Sequence, residues 1–178
     1  MVDTWSYSLM GNDEAIEVYC DLVSLVVSKA TEEELLGYKD HIIPKPRYQE
    51  LINLCYFDLV NYVELKESRM AYIVLGIFLM SYGIPIDVKL KEDILEYSRW
   101  EYEKDQIILQ EDKVVRKRHL DEFREFLIHC DGNSEIRIPI ETVTKIINDM
   151  FKSGKISRLE LPNIDYKIRK HSSKCGND

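Results

Sequence analysis

The segment Ser68–Gly83 reads SRMAYIVLGIFLMSYG and contains the longest apolar run of the chain. Ser68 offers a side-chain oxygen that can cap the first turn of a helix, and Gly83, followed by Pro85, can end it. Almost no polar side chain lies between these residues, so other helices are expected to surround this one. The run is well short of the roughly 20 apolar residues that span a bilayer. We therefore expect it inside a protein.

Gly76 stands in the middle of this helix, where it costs about 1 kcal/mol of helix propensity relative to alanine. Its missing side chain predicts a close crossing with another helix. Two helices with wide apolar faces, Asp13–Ala30 and Arg47–Lys66, are expected to pack around Ser68–Gly83. Further helices are predicted from a Thr31 cap to before Pro44, over Asp87–Leu109 as a covering helix, and from an Asp112 cap to a break at Asp131–Asn133.

These patterns predict a mainly α protein, a compact bundle of about six to seven helices. The last third differs, because Glu135–Ile138 and Ile156–Leu161 are typical of short strands on either side of a helix over Ile140–Lys152. We interpret residues 1–133 as a helical core domain and 134–166 as a small strand–helix–strand appendage packed on it. Residues 167–178 are expected to form a flexible basic tail.

The charge balance limits the classes of partner. There are 24 Lys and Arg against 32 Asp and Glu, a formal net charge of −8. The resulting field repels phosphate backbones and anionic lipids, which makes nucleic acid unlikely and argues against a membrane partner. The first residues lack the basic start and apolar stretch of a signal peptide, so a cytoplasmic location is expected.

The four cysteines are widely spread and form no C-x-x-C pair, which argues against structural zinc or a redox motif. Cys20, Cys55 and Cys130 stand in apolar helical contexts and are expected to be reduced core residues.

The common catalytic motifs are absent, including G-x-S-x-G, H-E-x-x-H and the glycine-rich phosphate loops. The best metal-like arrangement combines two histidines and two glutamates at spacings of three and four: His119, Glu122, Glu125 and His129. Basic side chains lie beside it, so a solvated charged face is the preferred interpretation. We predict no catalytic residue, no metal and no cofactor.

The densest basic run is Lys113–His119. Acidic residues four positions away can neutralise much of its charge, as Asp121 does for Lys117 or Glu122 for Arg118. The candidate interaction surface joins this run to two aromatic residues of the preceding helix: Lys113, Arg116, Lys117, Arg118, Trp100 and Tyr97. Nucleic-acid binding through this run or through the C-terminal basic segments is a third alternative.

Tyrosine is abundant, with 11 residues, and seven of them fall in the central helices: Tyr48, Tyr56, Tyr62, Tyr72, Tyr82, Tyr97 and Tyr102. Most are expected to be half-buried with the hydroxyl on a partner. Tyrosine enrichment suits a protein interface. The alternative is a tyrosine-lined pocket for a nucleotide-like ligand, formed where Gly76 lets helices diverge or cross. We favour core and interface.

The opening segment, Trp5 to Ala15, supplies a structural cap. Asn12 or Asp13 can accept hydrogen bonds from the first helical turn, and Trp5 can pack back on the helices. This segment resembles the start of a group of small helical bacterial and bacteriophage proteins, in which a Trp precedes a Gly/Asn-Asp-x-Ala turn into the first helix. It differs from them at Ser6, where glycine is usual. The resemblance implies no activity.

The sequence therefore favours a non-enzymatic interaction module that binds another protein, with a homodimer as an open alternative. An immunity protein or a phage-encoded inhibitor of a host or defence protein would fit the acidic charge and the resemblance. The cytoplasm would then be that of a bacterial or phage-infected cell. The second alternative is a small-ligand binder or enzyme that uses the tyrosine-lined pocket.

Overall fold

The structure, a computed structural model, describes residue 9 and residues 12–39 and 43–132. This part contains seven α-helices and no strand. The helices are α1 (Asp13–Val27), α2 (Glu32–Gly37), α3 (Lys45–Leu54), α4 (Tyr56–Lys66), α5 (Arg69–Ser81), α6 (Val88–Tyr97) and α7 (Gln110–His129). The predicted mainly helical class is confirmed, while the predicted C-terminal strands, the basic tail and Trp5 lie outside the described residues.

The predicted helix caps are largely confirmed. Asn12 Oδ1 accepts a hydrogen bond from the Ala15 amide at 2.8 Å, so Asn12 rather than Asp13 caps α1, and Asp13 is its first residue. Thr31 and Ser68 cap α2 and α5 in the same way. Gly83 ends α5 with a positive φ of 63°.

The helix predicted over Arg47–Lys66 is wrong in one respect, because it is two helices. The backbone at Cys55 departs from helical geometry with φ −106° and ψ 14°, which separates α3 from α4. The Cys55 amide donates to two carbonyls of the preceding turn, those of Leu51 and Ile52. Neither glycine nor proline stands there, so no local signal marks the break.

The helix predicted over Asp87–Leu109 is also wrong in extent. The Asp87 side chain caps the helix by accepting a hydrogen bond from the Leu90 amide. However, this helix, α6, ends at Tyr97, and a 3₁₀ turn, Trp100–Tyr102, follows. The next helix, α7, begins at Gln110 without a side-chain cap, so Asp112 lies in its first turn instead of capping it. The break after α7 is confirmed by Gly132, whose φ is +80°.

The described residues divide into two compact units. The first comprises residues 9, 12–19 and 57–132, and the second residues 20–39 and 43–56. The predicted domain boundary at residue 133 concerns residues beyond the described part and stays a prediction.

In the first unit, α5 is the central helix. All ten residues of Ala71–Met80 are buried, as its apolar composition predicts. It packs most extensively on α6, and α7 packs on both. The start of α1 also reaches α5, where the Tyr19 ring meets the Phe78 ring edge-on at 5.7 Å. The sequence treated α6 only as a cover, whereas it is the main neighbour of α5.

Gly76 is the point of closest approach in this packing. A Cβ atom there would lie 3.0 Å from Cζ of Phe123 on α7 and 3.3 Å from Cγ2 of Ile94 on α6. The predicted close crossing is thus confirmed. Both neighbours are buried and occupy the space beside Gly76.

In the second unit, α2 is tied to α3 by an ion pair. Nε of Arg47 donates to Oε1 of Glu34 at 2.6 Å, and the Tyr38 hydroxyl donates to the same carboxylate oxygen.

No helix among the described residues is long and apolar enough to cross a membrane.

Candidate functional site

The candidate site lies in the first unit, where α6 ends and the chain runs through the 3₁₀ turn toward α7. We call residues 99–109 the connecting segment. Glu103 is its one buried residue, although several of its side chains are apolar, among them Ile108, which is 93% exposed. A carboxylate, rather than an apolar side chain, therefore anchors this segment to the helices.

Glu103 is held by two arginines from two different helices. Arg116 of α7 donates to both carboxylate oxygens, from Nε at 2.6 Å and from Nη2 at 2.9 Å. Arg69 of α5 adds a contact from Nη2 to Oε1 at 3.3 Å. The side chains of Glu103 and Arg116 are 9% and 7% exposed, so the pair is buried and two-pronged.

The buried carboxylate stays ionised because its partners outweigh its burial. Burial by itself raises the pKa of Glu103. The hydrogen bonds and positive charges of Arg116 and Arg69 lower this pKa by more than burial raises it. The net pKa of Glu103 lies below its ordinary value. Removing one member of such a pair leaves an uncompensated buried charge, which is strongly destabilising.

Two arginines also satisfy the exposed carbonyl end of α6. Arg69 donates from Nε to the Tyr97 carbonyl at 2.9 Å. Arg124 of α7 donates to the Leu95 carbonyl and, at 3.0 Å, to the Ser98 hydroxyl oxygen. The last carbonyls of a helix have no partner within the helix. The guanidinium groups of Arg69 and Arg124 supply such a partner, and so help to end α6 at Tyr97.

Three aromatic residues lie at this junction and remain accessible to solvent, Tyr97 at 38%, Tyr102 at 44% and Trp100 half-buried. We call them the aromatic edge. The Tyr97 ring stacks on the Tyr72 ring of α5 at 4.3 Å. The Tyr102 ring lies 5.1 Å from the Arg69 guanidinium, and its hydroxyl donates to Glu96 at 2.7 Å. At least two of the three side chains are therefore held in place.

The structure corrects one member of the predicted interaction surface. Arg116 is buried in its pair with Glu103 and is not a surface residue, because its charge is used to compensate that carboxylate. Lys117 forms the predicted pair with Asp121 at 2.6 Å. Arg118 is exposed and shows no ion pair with Glu122, and Lys113 is half-buried.

Tyr97 and Trp100 belong to the predicted interaction surface, and the structure places them at the Glu103 site. The sequence did not identify Glu103, Arg69 or Tyr102 as members of it. Glu103 is separated from Arg116 by 13 positions and from Arg69 by 34, so no helical spacing links them. In the sequence, Glu103 is one charged residue in a stretch of aromatic and charged side chains. Such stretches are common on protein surfaces, so nothing in the sequence marks Glu103 as buried.

The remaining predicted positions are placed as follows. His119, Glu122, Glu125 and His129 lie along α7, and the described residues contain no group of three or more His, Cys, Asp or Glu that could hold a metal ion. Cys20 and Cys55 are buried, as predicted. Cys130 is only half-buried, because it follows the last turn of α7, where its carbonyl accepts a hydrogen bond from Lys91.

The tyrosines are distributed more widely between core and surface than predicted. Tyr48, Tyr72 and Tyr82 are buried, Tyr56 and Tyr62 are half-buried, and Tyr97 and Tyr102 are exposed. Accessible aromatic area is therefore present at the end of α6.

Comparison with known proteins gives no relative. No protein-family model matches the chain, and neither a curated protein nor a solved structure matches it.

Proposed function

We propose that this protein is a non-enzymatic interaction module that binds another protein through the aromatic edge, Tyr97, Trp100 and Tyr102. The observation that carries the proposal is that these side chains are accessible while the backbone beneath them is tied to α5 and α7 by buried and half-buried charges. Tyrosine, tryptophan and arginine dominate the energetics of protein interfaces.

Preorganisation supports the same surface. A side chain that is ordered before binding loses less conformational entropy when the complex forms. Tyr97 is already stacked on Tyr72, and Tyr102 is already bonded to Glu96. A partner that covers these rings would bury large apolar areas at a small ordering cost.

Charge at the aromatic edge is mixed. Arg99 pairs with Glu96 at 3.4 Å and with Glu101 at 3.5 Å, so these exposed charges largely compensate one another. A mixed polar rim around an aromatic centre is the usual anatomy of a protein interface. It is less suited to phosphate backbones, which require uncompensated lysine and arginine.

The test is capture of the partner from native cells by the tagged protein and its variants. Trp100→Ala and Tyr102→Ala are expected to reduce the captured amount at least about tenfold, since loss of a central aromatic contact costs about 2 kcal/mol or more of binding free energy. Phe126→Ala removes an aromatic side chain that is 57% exposed on α7 and serves as the matched control. Its capture is expected to equal that of the wild type.

Two results would contradict the proposal. One is equal capture by the wild type and both edge variants, with helix content unchanged by circular dichroism. The other is the absence of any captured protein from the native cell.

The identity of the partner is a separate proposal. An immunity role or inhibition of a host or defence protein in the cytoplasm of a bacterial or phage-infected cell is supported by the acidic charge and by the resemblance of Trp5 to Ala15. Mass spectrometry of the captured protein tests it directly.

A further inference from the structure

We infer that the connecting segment, residues 99–109, is an electrostatic latch: it opens as a unit while α5, α6 and α7 stay folded, and the ion pairs of Glu103 keep it closed. The inference concerns regulation of the aromatic edge and in that respect rests on the function proposed above.

The contact between the connecting segment and the helices contains few apolar side chains. Local stability is low where few apolar side chains are buried. Residues 99–109 contain no fully buried apolar side chain, since Trp100 and Ile107 are half-buried and Tyr102, Ile108 and Leu109 are exposed. The Glu103 carboxylate makes the buried contact, whereas other contacts of the segment, such as the hydrogen bond from the Tyr102 hydroxyl to Glu96, are exposed. Loss of the charge of Glu103 therefore removes the main attachment of the segment to α5 and α7.

The hydrogen bonds within the connecting segment are short-range. The Glu103 and Lys104 amides both donate to the Trp100 carbonyl, at 2.9 and 3.0 Å, and the Gln106 amide donates to the Glu103 carbonyl at 2.9 Å. These turns bind the segment to itself. Glu103 anchors it to α7 through Arg116 and to α5 through Arg69, which also donates to the Arg99 carbonyl at 3.5 Å.

The helices on either side of the connecting segment have apolar packing of their own. α5 is buried along ten consecutive residues and packs on α6 and α7 through the Gly76 crossing. These apolar contacts do not involve residues 99–109. Opening of the segment therefore leaves the helices in place and affects two residues of the aromatic edge, Trp100 and Tyr102.

Hydrogen–deuterium exchange of the isolated full-length protein tests the latch. In Glu103→Gln, the amides of residues 103, 104 and 106 are expected to exchange at least about tenfold faster, because the neutral side chain no longer forms ion pairs with Arg116 and Arg69 that favour the closed form. Amides of α5 and α6 are expected to exchange at the wild-type rate.

The matched control is Glu101→Gln. It removes the same charge from the same turn, but Glu101 is 59% exposed and contacts Arg99 at 3.5 Å. Its exchange pattern is expected to equal that of the wild type. Faster exchange in Glu101→Gln as large as in Glu103→Gln would overturn the proposal, as would unchanged exchange in Glu103→Gln.

A second variant keeps the test decisive if Glu103→Gln loses helix content. Arg69→Met leaves the Glu103–Arg116 pair intact and removes one ion pair and two carbonyl contacts. We expect a smaller acceleration, about threefold, confined to the same amides. Acceleration spread evenly over α5, α6 and α7 would show that these residues support the whole unit and would overturn the latch.

Exchange and partner capture separate the two proposals. Accelerated exchange in Glu103→Gln, together with full capture by Trp100→Ala, supports the latch and contradicts the proposed binding surface. Lost capture by Trp100→Ala, with unchanged exchange in Glu103→Gln, supports the binding surface and contradicts the latch.

Discussion

Two carboxylates in this protein depend on arginines that lie 13 positions away in the chain. Glu103 is buried with Arg116, whereas Glu34 is bound by Arg47 and remains in contact with water. The hydrogen bond from Arg47 and then the one from Tyr38 hold the pKa of Glu34 at about 2, below its ordinary value of 4.5. Because water screens an accessible pair, its main signature is the pH at which it is lost.

We expect Glu34 to stabilise the protein above about pH 4.5 and to lose this effect as the pH falls toward about 2. The sign follows from the lowered pKa, since the folded state binds the proton less readily than the unfolded state. Urea unfolding of the wild type and Glu34→Gln should give stabilities that converge over this interval. Glu33→Gln, which removes an exposed charge from the same helix, should show no such convergence. A constant difference between wild type and Glu34→Gln at all pH values would contradict the assignment.

Several helices begin where the local sequence directs, whereas the end of α6 depends on other parts of the chain. Thr31, Ser68 and Asp87 each cap the helix that follows, and each could be identified from its residue type. The end of α6 was not predictable in this way. The Glu96–Leu109 stretch contains no glycine or proline, and the carbonyls at that end are satisfied by Arg69 and Arg124 from neighbouring helices.

The central position of α5 gives a direct stability test. Leu75→Asp is expected to unfold the protein, because Leu75 is fully buried and an unpaired carboxylate would enter an apolar environment. Circular dichroism and thermal unfolding would measure the loss. Leu65→Asp makes the same chemical change on α4, where the side chain is 76% exposed, and should remain folded. A folded Leu75→Asp variant would mean that α5 is accessible and would make it the binding surface instead.

The net charge of −8 affects the approach of every charged partner to the molecule. The basic run on α7 does not make this part of the surface positive, because Arg116 is paired with Glu103 and Lys117 is paired with Asp121.

We therefore expect no retention on a duplex-DNA column at about 50 mM salt. Retention that falls steeply between about 50 and 200 mM salt would support nucleic-acid binding and contradict this expectation. A Lys113→Glu and Arg118→Glu double variant would then show whether the run on α7 is responsible.

Periodicity, composition and caps are local properties, and they were sufficient to predict the helical class, the buried α5, the Gly76 crossing and the caps at Thr31 and Ser68. They limited the cap of α1 to Asn12 or Asp13, and the structure shows that it is Asn12. The caps and the apolar periodicity depend on residues within a few turns of one another, so the linear order of side chains carries the information. Gly76 indicates a close approach by its missing side chain, although the sequence does not name its partners, Ile94 and Phe123. The break at Cys55 was missed because it lacks a local marker.

The junction of Glu103, Arg116 and Arg69 came from the packing of α5, α6 and α7, which brings together residues that share no spacing. A charged residue looks the same in the sequence whether it faces water or a guanidinium group, and burial alone separates the two cases. For this reason Arg116 was predicted on a surface, whereas the structure shows it in a buried ion pair with Glu103.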